Sequence, residues 1–209
     1  MKSNPLLSFV PWIAFSEAAG NGLAPQWSAA LAALVSLAIA SPALVRGKVM
    51  LLDAMGVVTF AGLSVAAWLG GHGAEGFVTD YGRTVATAVL AVLIFLTLPF
   101  MPFTEQYARQ EVPAAAWTSP VFKKTNRLFS AAWGGVFALM TVAHLIALAA
   151  PSNGDLNWIC NWGVPIGSVV LMFKFMKRYR AEHTPAQGAG TAGTAGLTAK
   201  QDQYAQYAK

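Results

Sequence analysis

The chain has 209 residues, of which 56% are hydrophobic and 11% are charged, and its formal net charge is +5. Soluble domains carry roughly 25% charged residues, so this composition excludes a water-soluble fold and indicates a membrane protein. The 14 lysines and arginines stand in short clusters beside apolar runs, a pattern typical of membrane proteins, which argues against nucleic-acid binding. Cys160 is the single cysteine, which excludes an internal disulfide and a multi-cysteine metal site within one chain.

Six apolar stretches are candidates to cross a membrane. A bilayer core about 30 Å thick requires roughly 20 mostly apolar residues per helix, because every backbone polar group needs a partner within the segment. The first stretch, residues 6–19, is short, contains Pro11 and carries Glu17 near its end. We expect it to be a short retained helix, with a cleaved signal peptide as the alternative. The other five stretches are residues 28–45, 49–69, 84–100, 128–150 and 156–175.

These stretches predict an all-α fold, a polytopic transmembrane helix bundle of about six helices, or five if the first is cleaved or interfacial. Residues 1–180 form this membrane domain. The glycine-rich residues 70–83 are predicted to be a loop, and residues 101–126 alternate aromatic with charged residues, which favours an interfacial connection. The tail, residues 181–209, is rich in Gly, Ala, Thr and Gln without apolar periodicity, and we expect it to be disordered.

The positive residues predict the orientation of the bundle, because Lys and Arg near helix ends resist translocation. With the amino terminus in the cytoplasm, every Lys and Arg except Arg83 falls on the cytoplasmic side. Both termini are therefore predicted to be cytoplasmic. The other five spans keep this orientation even if the first segment does not cross the membrane.

Three polar residues within the apolar stretches are candidate site residues. His144 could act as a proton relay or ligand, or could be a neutral buried histidine bonded to a neighbouring helix. Asp53, close to Arg46 and Lys48, is expected to complement the helix dipole and pair with these cations. Together with Asn161 in the last span, His144 and Asp53 would line the polar path that a small transporter or channel needs.

The last span also contains a small-residue pair. Gly163 and Gly167 have the spacing that lets helix backbones approach closely. We expect them to pack against another helix of the same chain, with the face of a homo-oligomer as the alternative. Pro165 between them lacks an N–H donor and should kink the helix.

Signatures of common enzyme classes are absent from the sequence. It has no glycine-rich phosphate loop, no HExxH, no GxSxG and no paired carboxylates at catalytic spacing. No catalytic, cofactor-binding or metal-binding residue is assigned and no cofactor is expected, since a haem would usually need a second axial ligand besides His144. The sequence therefore favours a protein that is not an enzyme.

The inner connection and the span after it resemble a known family. The run PFTEQYARQEVPAAAWTSPVFKKTNRLFSAAWGGVFALMTVAHL, residues 102–145, is similar to the intracellular septation protein A family of bacterial inner-membrane proteins. The resemblance extends over about residues 5–150, and the sequence departs from the family in its last span and its tail. The positions that match are Pro102, Gln106, Pro113, Trp117, Asn126, Arg127 and Trp133.

This resemblance implies a multi-pass protein of the bacterial inner membrane that takes part in septation and envelope integrity through contacts with other membrane proteins. It implies no defined catalytic residues. The expected partners are the lipid bilayer and other inner-membrane or division proteins. The alternatives are a small transporter or channel, or an accessory subunit of a larger membrane complex. The candidate interaction residues of the connection are Tyr107, Arg109, Trp117, Asn126 and Arg127.

Overall fold

The computed structural model describes residues 7–183, and over this range the chain forms helices and no strands. Short 3₁₀ turns lie at Leu7–Phe9 and Ala114–Ala116, and a π-helical turn at Ile159–Gly163 joins α7 to α8. The helices are α1 (Val10–Gly20), α2 (Pro25–Leu44), α3 (Leu51–Leu69), α4 (Gly71–Thr97), α5 (Phe103–Ala108), α6 (Pro120–Ala149), α7 (Gly154–Trp158) and α8 (Val164–His183).

Five helical stretches among residues 7–183 are long and apolar enough to cross a membrane: α2, α3, α4, α6 and the continuous stretch Gly154–Glu182. The predicted all-α bundle of membrane-spanning helices is confirmed at this level. Residues 184–209, most of the predicted tail, lie outside the described part of the chain.

Capping residues account for two of the helix starts. The Ser119 hydroxyl accepts a hydrogen bond from the backbone N–H of Phe122, and Pro120 occupies the first turn of α6, where a missing N–H costs nothing. Pro25 starts α2 in the same way. α6 therefore begins at residue 120, eight residues before the predicted span, and the basic residues Lys123 and Lys124 lie on this helix.

The prediction of a loop at residues 70–83 is wrong, because residues 71–83 form the first half of α4. Gly71, with φ of +61°, makes the turn out of α3, a backbone conformation that favours glycine. Beyond this turn the Phe77 and Tyr81 rings stack with centroids 5.3 Å apart, and Val78 is buried against the core. These contacts offset the low helix propensity of the glycines, which amounts to about 1 kcal/mol for each.

The first segment is a short helix that packs against the bundle. α1 has 11 residues, about half the length needed to cross a bilayer. Phe15 is buried, and the Phe9 ring stacks on Trp133 of α6 with centroids 5.1 Å apart. The segment therefore packs against the bundle by one face, with Val10 and Ile13 exposed on the other, and it is not one of the helices long enough to span.

The residues of the inner connection pack onto the bundle more tightly than an interfacial segment would. Phe103 and Tyr107 of α5 are both buried. The side-chain oxygen of Gln106 accepts the N–H of Leu51, 2.8 Å away, which satisfies a backbone donor at the start of α3. α5 is therefore anchored to the amino end of α3.

The helices alternate in direction, so the bundle has two distinct ends. At one end α2, α4 and α8 finish and α3 and α6 begin, and we call this the basic end. At the opposite end α1, α3 and α6 finish and α4 and α7 begin. The cations of the basic end are Arg46, Lys48, Arg109, Lys123, Lys124, Arg127, Lys177, Arg178 and Arg180.

Candidate functional site

A polar recess opens between α1, α4, α6 and the α7–α8 stretch, towards the opposite end. We call it the Arg83 recess, and its volume is about 280 Å³. Its walls are partly apolar, with Phe15, Val78 and Ala147 among them. Its polar lining consists of Thr79, Asp80, Arg83, Thr84, His144, Asn157 and Asn161.

Arg83 provides the charge of this recess. It lies halfway along α4, and its Nη2 donates a hydrogen bond to the Ser16 carbonyl near the end of α1, 2.7 Å away. The guanidinium carbon lies 5.8 Å from the centroid of the Trp162 ring. No carboxylate among residues 7–183 forms an ion pair with Arg83, although the Glu17 carboxylate acts on it electrostatically. Most of the five N–H donors of a guanidinium are therefore left for the recess.

Two further polar side chains reach the recess from buried positions. His144 is 6% exposed and Thr84 is 8% exposed, and both line the cavity. The His144 Nδ1 and the Thr84 Oγ1 have no hydrogen-bond partner within the described part of the chain. Buried polar atoms are usually paired. Of the six unpaired ones among residues 7–183, these two belong to residues that line the recess.

Asn161 reaches the recess from the π-helical turn. Its Nδ2 donates to the Asn157 carbonyl at 3.0 Å and to the Asn157 Oδ1 at 2.9 Å. Pro165 has no N–H with which to bond the carbonyl of Asn161 four residues earlier. The predicted distortion by this proline coincides with a π-helical turn directly before α8.

Asp53 does not share the Arg83 recess with His144 and Asn161. It lies at the basic end and is 4% exposed, and its Oδ1 has no hydrogen-bond partner among residues 7–183. The Ser8 Oγ lies 3.0 Å from the Tyr107 hydroxyl, and burial raises the pKa of Tyr107. Asp53 forms no ion pair with Arg46 or Lys48, contrary to expectation, because it points into the bundle while the turn that holds those cations lies outside it.

The candidate residues of the inner connection divide between core and surface. Tyr107 and Asn126 are buried, and the Asn126 Nδ2 donates to the Phe122 carbonyl at 2.9 Å. Arg109 bonds Glu105 at 2.6 Å, and its guanidinium carbon lies 5.0 Å from the centroid of the Trp117 ring. Arg127 is exposed and donates to the Pro99 carbonyl at 3.3 Å. Arg109, Trp117 and Arg127 therefore remain accessible, and the other two do not.

No helix of the described chain packs closely against Gly163 and Gly167. A Cβ added at Gly167 would meet nothing within 4 Å, and one added at Gly163 would meet only its own turn. A contact between two copies at these glycines stays a prediction. Among residues 7–183 there is also no group of three or more His, Cys, Asp and Glu side chains placed to hold a metal ion.

Of the polar lining residues, the sequence singled out His144 and Asn161. It did not single out Thr79, Asp80, Arg83, Thr84 and Asn157. Arg83 carried one signal, since it is the only cation predicted to lie away from the cytoplasmic side. Comparison of the chain with protein-family models, curated proteins and solved structures finds no match. The resemblance of residues 102–145 to septation protein A stays a proposal.

Proposed function

We propose that this protein binds a small oxyanion, such as an organic carboxylate, in the Arg83 recess, and that it acts as a membrane receptor or carrier for that solute. The observation that carries this proposal is a guanidinium inside a membrane-spanning helix that has one hydrogen bond and no ion-pair partner among residues 7–183. An arginine costs about 2.5–3.5 kcal/mol at the centre of a membrane helix on insertion scales. Arg83 lies where the polar first half of α4 meets its apolar second half. Such a residue is a functional candidate by default.

A purely structural role for Arg83 accounts for part of this geometry. The bond to Ser16 places a cation beside the carbonyl groups at the carboxyl end of α1, which the helix dipole favours. That bond uses one of the five guanidinium donors. The flat fork of the remaining donors matches a carboxylate or phosphate, and the unpartnered atoms of Thr84 and His144 lie around the same cavity.

The size and lining of the recess favour a small organic acid. A volume of about 280 Å³ corresponds to roughly nine waters at about 30 Å³ each. The apolar wall formed by Phe15, Val78 and Ala147 suits a short hydrocarbon portion. Asp53 is not among the lining residues. The recess therefore contains two of the three residues, His144 and Asn161, that the sequence suggested for the polar path of a transporter.

Binding to the full-length protein in mild detergent tests this function. Trp162 lies next to Arg83, so its fluorescence should report titration with acetate or inorganic phosphate, with chloride at matched ionic strength as the control. Arg83→Gln should abolish the response, and Arg83→Lys should weaken it because the fork is lost. Arg127→Gln is the matched control, since this arginine also bonds one backbone carbonyl but lies at the basic end.

Loss of folding is distinguished from loss of binding by thermal melting. A ligand at 100 times its Kd adds about 2.7 kcal/mol of stability, so acetate or phosphate should raise the melting temperature of the wild type and of Arg127→Gln and leave that of Arg83→Gln unchanged. Thr84→Val, which removes an unpartnered hydroxyl, should fold normally and bind more weakly. An Arg83→Gln variant that binds like the wild type would refute the proposal.

A second candidate function is the contact role of septation proteins in the bacterial inner membrane. The observation that favours it is the stacked pair of Arg109 and Trp117, both partly exposed at the cationic basic end. Arg109→Ala and Trp117→Ala should leave protein abundance unchanged while cell length and envelope integrity change in the native host. A loss of abundance that matches the phenotype would identify the pair as structural.

A further inference from the structure

We infer that the Arg83 recess takes up its anion together with one proton, which the imidazole of His144 holds. This inference rests on the proposed binding of an oxyanion beside Arg83 and adds to it the coupling to a proton. It would make the protein sensitive to pH at the opposite end of the bundle.

The His144 ring lies where its protonated form would be close to an anion bound beside Arg83. The ring is buried, lines the recess, and lies against the backbone of Arg83 on the neighbouring helix. Its Nδ1 has no partner among residues 7–183. A protonated His144 would place a positive charge in the wall of a cavity that Arg83 and Thr84 also line.

Electrostatics link the proton to the anion. In the empty recess an imidazolium would stand beside a guanidinium, and two like charges in a medium of low polarity repel strongly. A bound anion neutralises the charge of the guanidinium, so protonation of the imidazole then costs less free energy. One anion and one proton enter together, the net charge of the site does not change, and by linkage each ligand strengthens the binding of the other.

Three carboxylates near the recess could compete for the proton. Asp80 lines the recess from α4, Glu17 lies on α1 and acts on Arg83, and Asp155 lies in the first turn of α7. The α7–α8 stretch otherwise presents the neutral amides of Asn157 and Asn161. Imidazole is the side chain that ordinarily titrates between about pH 5 and 8, which makes His144 the group expected to respond in that range.

The test uses methanesulfonate, an oxyanion that does not itself take up a proton in this range. Full-length protein in weakly buffered detergent, mixed with methanesulfonate and a pH-indicator dye, should take up close to one proton per anion bound. The Kd should rise by up to about tenfold per pH unit above neutrality, the limit for one coupled proton. His144→Gln should bind methanesulfonate through Arg83 without proton uptake and with a flat pH profile.

The controls separate this inference from the proposed function. His72→Gln, at an exposed histidine of the first turn of α4, should keep the wild-type uptake. Glu17→Gln and Asp80→Asn change the charge around the recess and with it the affinity, but the number of protons taken up per bound anion should stay close to one. If His144→Gln fails to fold, nitrogen-15 NMR of histidine-labelled wild type reads the protonation of its three imidazoles directly. Binding without uptake, or uptake abolished only by a carboxylate variant, would overturn the coupling and leave anion binding in place. Absence of any anion binding would overturn both.

Discussion

A guanidinium in an apolar bundle is costly unless something compensates its charge. Arg83 is compensated in three partial ways: a hydrogen bond to Ser16, the face of the Trp162 ring, and the longer-range field of Glu17. A cation over an aromatic ring contributes about 0.5–2 kcal/mol. This is less than the cost of placing an arginine at the centre of a membrane helix, about 2.5–3.5 kcal/mol. The hydrogen bond to Ser16 involves a charged group and contributes about 1.5–3 kcal/mol more. These contacts offset much of the cost, and the proposed anion would add to them.

Tyr107 gives a test of burial at the basic end. Burial raises its pKa because a phenolate would lose its water, so the folded protein holds the phenol proton more tightly than the unfolded chain. Above about pH 10 the unfolded chain ionises first, and the free energy of unfolding falls. Tyr107→Phe should be about 1 kcal/mol less stable at neutral pH through loss of the bond to Ser8.

The same variant should lose less stability than the wild type as the pH rises above about 10, because it has no phenol to ionise. Denaturant unfolding in detergent at a series of pH values measures both curves. Parallel curves would show that the Tyr107 ring reaches water in solution. A crossing of the curves would confirm its burial.

Individual polar residues could be identified from the sequence, but the sequence did not show which of them lie together in the folded chain. His144 and Asn161 stood out because they interrupt apolar runs, but their sharing of one recess depends on how α6 and the π-helical turn are rotated against each other. Asp53 stood out in the same way and lies at the other end of the bundle. Arg83 was missed because the glycines at residues 71, 73 and 76 predicted a loop, which would have left it at a helix end in water.

At the scale of helices, two glycines allow close approach of neighbouring elements. Neither belongs to the pair Gly163 and Gly167 that the sequence suggested by its spacing. A Cβ added at Gly56 of α3 would lie 2.7 Å from the Ser36 Oγ, and one added at Gly82 would lie 2.8 Å from the Phe15 ring. The face of α2 that meets α3 is built from small buried residues, including Ala29, Ala32 and Ser36. Periodic small residues on α2 were visible in the sequence, but the partner glycine could be identified only from the packed helices.

Gly56→Val should therefore destabilise the protein through overpacking between α2 and α3, by about 1–3 kcal/mol. Gly62→Val is the matched control, because it makes the same change of helix propensity on the same helix at a site where nothing lies within 4 Å. Thermal melting of the two variants in one detergent isolates the packing cost as their difference. Equal melting temperatures would show that α2 and α3 are less closely packed than in this structure.

At the scale of the whole molecule, the chain has a strong charge asymmetry. The helix ends and connections at the basic end carry most of the cations, and the Arg83 recess opens towards the other end. Hydropathy predicted the five long helices, because each span must satisfy its backbone within itself, but it also predicted a sixth span where the structure has the short α1. If the basic end is cytoplasmic, the recess faces the exterior, and the anion and proton that we propose it binds would come from outside the cell.

We expect the basic end to be cytoplasmic, because Lys and Arg beside helix ends resist translocation. Single cysteines can test this in a Cys160→Ser background, since Cys160 is the only native cysteine and is buried. His72→Cys at the start of α4 should react with a membrane-impermeant maleimide in intact cells. Lys48→Cys, exposed between α2 and α3, should react only after permeabilisation. The reverse pattern would place both termini and the opening of the recess on the other sides, and labelling of both sites in intact cells would contradict the alternation of the helices.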